Sequence, residues 1–70
     1  MSYDEFQKMV GREYDRWQKI DSTYRYGQCM FNMLAAFKGY IAEEIRSTKL
    51  DPFYKDDVPA ETWQYIYDRW

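Results

Sequence analysis

The sequence predicts an all-α fold, a compact small helical bundle of three to four helices forming a single helical domain over residues 1–70, with a loop around residues 48–58. Three observations predict it. Apolar residues recur at three- and four-residue steps in separate stretches, which is the spacing that lines one face of a helix. Helix-start and helix-stop chemistry falls between those stretches, at Ser2, at Asp21-Ser22-Thr23, at Gly39 and at Pro59. Between Ser47 and Val58 the residues are those of a loop.

In chain order, Ser2 and Glu5 have the spacing of a capping box, in which the serine hydroxyl and the glutamate carboxylate satisfy each other's backbone amides. Asp4 and Glu5 also suit the positive end of a helix dipole. Tyr3, Phe6, Val10, Trp17 and Ile20 then form an inward stripe over about residues 3–20, interrupted by Glu13 and widened by Met9 and Tyr14. Gly11 in mid-helix costs about 1 kcal/mol against alanine, which suggests close packing there. Asp21-Ser22-Thr23 stops this helix and supplies the N-cap region of the next.

The second helix carries Tyr26, Met30, Phe31, Met33, Leu34 and Phe37 and is the most apolar part of the chain. Lys38-Gly39 suits a helix end, with the cation on the last turn and glycine in the left-handed conformation. A break at Gly39 is expected, one unbroken helix through Ser47 being the alternative. After the break, Tyr40, Ile41 and Ile45 should face inward and Glu43, Glu44 and Arg46 outward. Asp51-Pro52 takes residue 51 out of the helical region, and Leu50, Phe53 and Tyr54 should pin the loop against the helices. Pro59 suits the first position of a last helix, whose buried face would be Ala60, Trp63, Ile66 or Tyr67, and Trp70. The expected core is Trp17, Phe31, Leu34, Phe37, Ile41, Phe53, Trp63 and Ile66.

A chain this small buries only about 60% of the surface it exposes when unfolded, so what fills the core matters. Two valines, four isoleucines and two leucines are few, whereas eight tyrosines, four phenylalanines and three tryptophans make aromatic rings the main filling. Each ring buries roughly 150–250 Å², and tyrosine tolerates half-exposure because its hydroxyl stays wet. Fifteen rings exceed what so small a core can hide, so some should line the surface. The single cysteine, Cys29, excludes an intramolecular disulfide and points to a reducing, cytoplasmic setting. No apolar run is long enough to span a membrane, and the first residues lack the pattern of a signal peptide. A net charge of −2, from ten basic and twelve acidic residues of interspersed sign, argues against nucleic acid as a partner.

Catalytic chemistry finds little to work with. There is no histidine, the commonest general base and metal ligand. Cys29 lies beside Met30 and Phe31 and has no histidine to activate it, so it reads as a small core residue. The three glycines stand far apart and make no phosphate loop. Asp51, Asp56, Asp57, Glu43 and Glu44 do not have calcium-loop spacing. Asp51 reads as a turn former, Asp56 and Asp57 as helix-start acids. No enzymatic activity, metal or cofactor is expected.

Tyr24-Arg25-Tyr26-Gly27-Gln28-Cys29-Met30-Phe31-Asn32-Met33-Leu34, followed by Ile45-Arg46-Ser47-Thr48-Lys49-Leu50-Asp51-Pro52-Phe53-Tyr54, resembles a pattern in small uncharacterised proteins of tailed bacteriophages. There an Arg-Tyr/Phe-Gly-Gln segment leads to Phe-Asn and a leucine. An Ile-Arg-x-Thr segment then leads to Asp-Pro-Phe-Tyr and a short last helix. The resemblance covers about residues 23–63, and such proteins often carry proline near the position of Gly39, which suits a break. It transfers no functional residue. What it implies is a setting, the cytoplasm of a bacterial host, and a way of acting common to small phage proteins, the binding of a host or defence protein.

The expected function is therefore a phage-type protein-binding module, an inhibitor of a host or anti-phage defence protein. The alternative is a self-associating structural protein, a homodimer covering its surplus aromatics with a second copy. A third reading, nucleic-acid binding through tyrosine stacking with Arg12, Arg16 and Arg25, runs against the charge balance. Two groups of residues are candidate contacts. Arg25, Gln28 and Asn32 share a face of the second helix, where they offer directional hydrogen bonds or else serve packing and capping. Tyr65, Tyr67, Arg69 and Trp70 combine the residue types enriched in binding hot spots.

Overall fold

Ser2 opens the first helix as its spacing predicts. In the computed structural model, which describes residues 1–70, the Ser2 hydroxyl accepts the Glu5 amide at 3.1 Å and the Glu5 carboxylate accepts the Ser2 amide at 3.0 Å. Four helices follow in an all-α bundle: α1 Tyr3–Gln18, α2 Tyr26–Phe37, α3 Gly39–Ile45 and α4 Ala60–Arg69. There are no strands, and no helix is long and apolar enough to cross a membrane.

The core lies where α2 packs on both α1 and α3 and α4 closes the remaining side. Phe6 and Val10 enter from α1, Cys29, Met30, Phe31 and Leu34 from α2, Ile41, Ala42 and Ile45 from α3, and Ile66 from α4. Val58 reaches the same cluster from the loop. Phe31, Leu34, Ile41 and Ile66 are buried as expected, and Phe53 and Trp63 pack against the core while staying partly exposed. Trp17 and Phe37 do not belong to it. Trp17 is 39% exposed because a loop, not a helix, lies beside the last turn of α1, and its indole packs sideways on Tyr24. Ile20, past the end of α1, is 70% exposed. Gly11 has nothing near it, so no close approach explains it.

Asp21 and Thr23 do not cap α2. Asp21 Oδ1 accepts both the amide and the hydroxyl of Thr23, closing a turn within the connection. The N-cap is Arg25, in extended conformation, whose amide makes a long, 3.5 Å bond to Gln28 Oε1. The chain breaks between α2 and α3, but at Lys38 (φ −139°, ψ 64°) rather than through a left-handed Gly39, which begins α3. The bend swings the inner register one residue on. Ile41, Ala42 and Ile45 face the core, whereas Phe37 is left outside at 48% exposure and Tyr40 at 57%. The left-handed residue is Ser47 (φ 62°), just past α3. Its amide is taken by Asp51 Oδ2 at 2.8 Å, while Asp51 Oδ1 accepts the Phe53 amide at 3.0 Å. Asp51 is thus the turn former its sequence position suggests.

The loop is pinned, but not by all three residues expected. Pro52 is buried and Leu50 and Phe53 are half-buried, whereas Tyr54 stands in solvent at 82% exposure. The decisive contact is with Gly27. Its amide donates to the Lys55 carbonyl at 3.1 Å, and a Cβ there would meet the Pro52 and Lys55 carbonyl oxygens at less than contact distance. Pro59 is the N-cap of α4, one position earlier than predicted. On α4, Thr62 and Ile66 are buried, Trp63 and Trp70 are half-buried, and Ala60 and Tyr67 are exposed. The buried Thr62 hydroxyl donates to the Leu50 carbonyl at 2.7 Å, tying α4 to the loop.

Candidate protein-binding surfaces

The four C-terminal candidates lie at one end of the molecule, where the start of α1, the end of α4 and the α2–α3 bend meet. Trp70 is wedged beside Phe6, with ring centroids 4.9 Å apart, and its indole N–H donates to the Met1 carbonyl at 3.0 Å. Lys38 Nζ stands 4.9 Å from the centre of the same ring, a cation–π arrangement. Tyr3 packs edge-on against Trp63, Tyr67 and Trp70 and donates its hydroxyl to the Trp63 carbonyl at 3.3 Å. Burial and the neighbouring Tyr67 push the Tyr3 phenol up from its ordinary value. Arg69 stacks over Tyr65, 3.3 Å from the ring centre, and both reach Glu44, the guanidinium at 3.7 Å and the phenol at 3.4 Å. Tyr40 donates its hydroxyl to the Arg69 carbonyl at 3.2 Å.

Tyr65, Arg69 and Trp70 are thus held by partners inside the molecule, and Tyr67 projects at 60% exposure. Tyr40, assigned inward by the sequence, joins this surface through its contact with Arg69, and Phe37, beside Lys38, is exposed near the same bend. The break expected at Gly39 falls one residue earlier, at Lys38, and that shift brings both rings out. The surplus of rings over core volume was the available signal.

The second predicted group is divided. Arg25 turns toward the loop, its Nε donating to the Phe53 carbonyl at 3.3 Å and its guanidinium lying 5.5 Å from the Tyr54 ring centre. Gln28 uses its carbonyl oxygen on the Arg25 amide, while Asn32 Nδ2 donates to the Tyr24 hydroxyl at 3.2 Å. Gln28 and Asn32 line an open cleft of about 410 Å³ with Trp17, Asp21 and Tyr24. Asn32 also borders a second cleft of about 330 Å³, on whose walls stand Phe31, Arg46, Asp51, Phe53 and Tyr54. The two segments that carry the sequence pattern meet here: Gly27 touches the Pro52 backbone, Arg25 holds the Phe53 carbonyl, and Phe31 meets Phe53 edge-on at 5.9 Å.

Cys29 is buried, with its Sγ 3.8 Å from the Val10 carbonyl, and burial, with Glu13 adding to it, pushes its thiol up. The protonated form is a poor nucleophile. No group of three or more cysteine or carboxylate side chains stands within reach of a common metal ion. Every buried side-chain polar atom has a hydrogen-bond partner. The chain matches no known protein family, no curated protein and no solved structure.

Proposed function

We propose that this chain is a protein-binding module, and that the aromatic surface around Trp70 is its contact face. One observation carries the reading. Tyr67 and Tyr40 are turned to solvent beside a tryptophan that is itself fixed by Met1, Phe6 and Lys38. Large rings supply contact area, and rings already held in place lose little freedom on binding, so more of their burial appears as affinity. Tyrosine, tryptophan and arginine are also the residues on which binding energy concentrates. The partner class comes from the resemblance of residues 23–63 to small tailed-phage proteins: a host or anti-phage defence protein in the bacterial cytoplasm, which the module inhibits.

The test is a pull-down with the tagged full chain from bacterial lysate, run beside a Tyr40→Ala/Tyr67→Ala variant. Both substitutions remove exposed rings, so the helical circular dichroism should be unchanged. A near-stoichiometric protein retained by the parent and lost by the variant is the expected result. Retention of the same protein by both would move the contact face elsewhere. Recovery of nothing but further copies of the chain would replace the reading with self-association.

A further inference from the structure

At the far end of α1 from Trp70, the cleft of about 410 Å³ is lined by Trp17, Asp21, Tyr24, Gln28 and Asn32. Its aromatic wall is Trp17 and Tyr24, whose ring centres are 5.9 Å apart with planes inclined at 50°. Its one charged lining residue is Asp21, which is exposed and joins no ion pair. Both bonds from Thr23 fall on Asp21 Oδ1, so Oδ2 keeps its accepting capacity. Asn32 donates one amide hydrogen to the Tyr24 hydroxyl and its Oδ1 accepts nothing within the molecule. On α1, Glu13 is paired with Arg16 at 2.9 Å. Arg16 itself lies over Trp17, 5.7 Å from the ring centre, but is not part of the cleft lining. Arg25, the other cation nearby, is turned away to Phe53 and Tyr54.

A carboxylate, an unused amide oxygen and two electron-rich rings are complementary to a cation. Gln28, whose oxygen takes the Arg25 amide, has only N–H groups left and contributes nothing to holding one. We propose that this cleft receives an arginine side chain projecting from a partner protein. Arginine fits better than lysine because a planar guanidinium stacks on an indole while its several N–H groups reach a carboxylate and an amide oxygen together. A compact ammonium cannot do both. An anionic or wholly apolar group would leave Asp21 opposed or desolvated without compensation. The site is separate from the Trp70 surface. Tyr3 and Trp17 stand fourteen residues apart on one helix, roughly 21 Å along its axis. The inference does not rest on that surface being a contact face, and either can fail alone.

The experiment uses the ¹⁵N-labelled full chain, titrated with the capped tripeptide acetyl-Gly-Arg-Gly-amide and with its citrulline counterpart. Citrulline keeps the shape of arginine and removes the charge. The arginine peptide should move the Trp17 indole and Asn32 side-chain amide resonances saturably, while those of Trp63 and Trp70 stay in place. The citrulline peptide should bind about tenfold more weakly, and Asp21→Asn, an exposed and nearly isosteric change, should weaken the arginine peptide about fivefold. Trp17→Leu should abolish saturation, with the Trp63 and Trp70 resonances reporting that the fold is kept. Equal binding of the two peptides, absence of saturation, or shifts centred on Glu44 and Tyr65 would each overturn the proposal.

Discussion

Gly27 is the residue on which the largest effect of one added carbon rests. The loop after α3 crosses the first turn of α2 so closely that the Lys55 carbonyl oxygen would lie 2.6 Å from a Cβ at position 27, with the Pro52 carbonyl oxygen closer still. Both obstacles are backbone, and the Pro52 carbonyl is itself fixed by the Lys55 amide at 2.9 Å, so neither can swing aside like a flexible side chain. Its φ is not positive, so what it supplies is room rather than an unusual backbone conformation. Gly27→Ala would gain helix propensity of about 1 kcal/mol and still lose, because it must move the loop and with it the Gly27–Lys55 hydrogen bond. The expected net cost is about 3 kcal/mol, read from the denaturant midpoint. Gly11→Ala is the built-in control: with open space at that position, it should stabilise by up to about 1 kcal/mol. An alanine at 27 as stable as the parent would mean the loop does not press on α2 in solution.

Among the elements, α4 depends most on its neighbours. Ten residues are too few to hold a helix alone in water, and no side chain caps its start. What holds it is burial of Ile66, the Thr62 hydroxyl on the Leu50 carbonyl, and the packing of Trp63 and Trp70 against Phe6 and Tyr3. The dependence is mutual, since removing α4 uncovers Phe6 and leaves the Leu50 carbonyl without its partner. A chain ending at residue 58 should therefore lose its cooperative thermal transition, and a sharp melt by circular dichroism would show that α1–α3 suffice. Much of this layout was legible in the sequence wherever local chemistry decides. The Ser2–Glu5 capping box, the Asp51 turn and the proline before α4 all depend on residues within a few positions of one another. Trp17 and Phe37 were misplaced because their burial depends on which element lies opposite, and spacing along one helix does not carry that information. The same holds for the cleft. Gln28 and Asn32 were found from their shared face, but Trp17, Tyr24 and Asp21 reach it only because the connection after α1 folds back.

At the scale of the whole molecule, the asymmetry between its charged and its aromatic groups sets how it responds to pH. All four ion pairs have both partners about one-third exposed or more, and such pairs contribute little and are screened by salt. The carboxyls of Glu5 and Asp21 are lowered by hydrogen bonds from Ser2 and Thr23, so whatever they add is present above the usual carboxylate range and lost as pH falls through their folded values. Both are fully exposed, and the acid side should be shallow. On the alkaline side, the phenols of Tyr3, Tyr24 and Tyr26 and the thiol of Cys29 are all pushed up, burial being the largest cause for each. A raised acid favours its protonated form in the folded state. The stability linked to it is intact below the unfolded value and declines as pH rises through the folded one, and all four groups have this sign. Helical signal should therefore hold between about pH 5 and 9 and collapse above about pH 10, as the last phenols ionise. Cys29 should stay closed to a bulky thiol reagent until that same transition, because its sulfur lies in the core rather than in a cleft. Complete phenolate formation with the helical signal intact, or thiol modification well before the collapse, would show that the rings around α2 are wetter than the packing of Tyr24, Tyr26 and Cys29 implies.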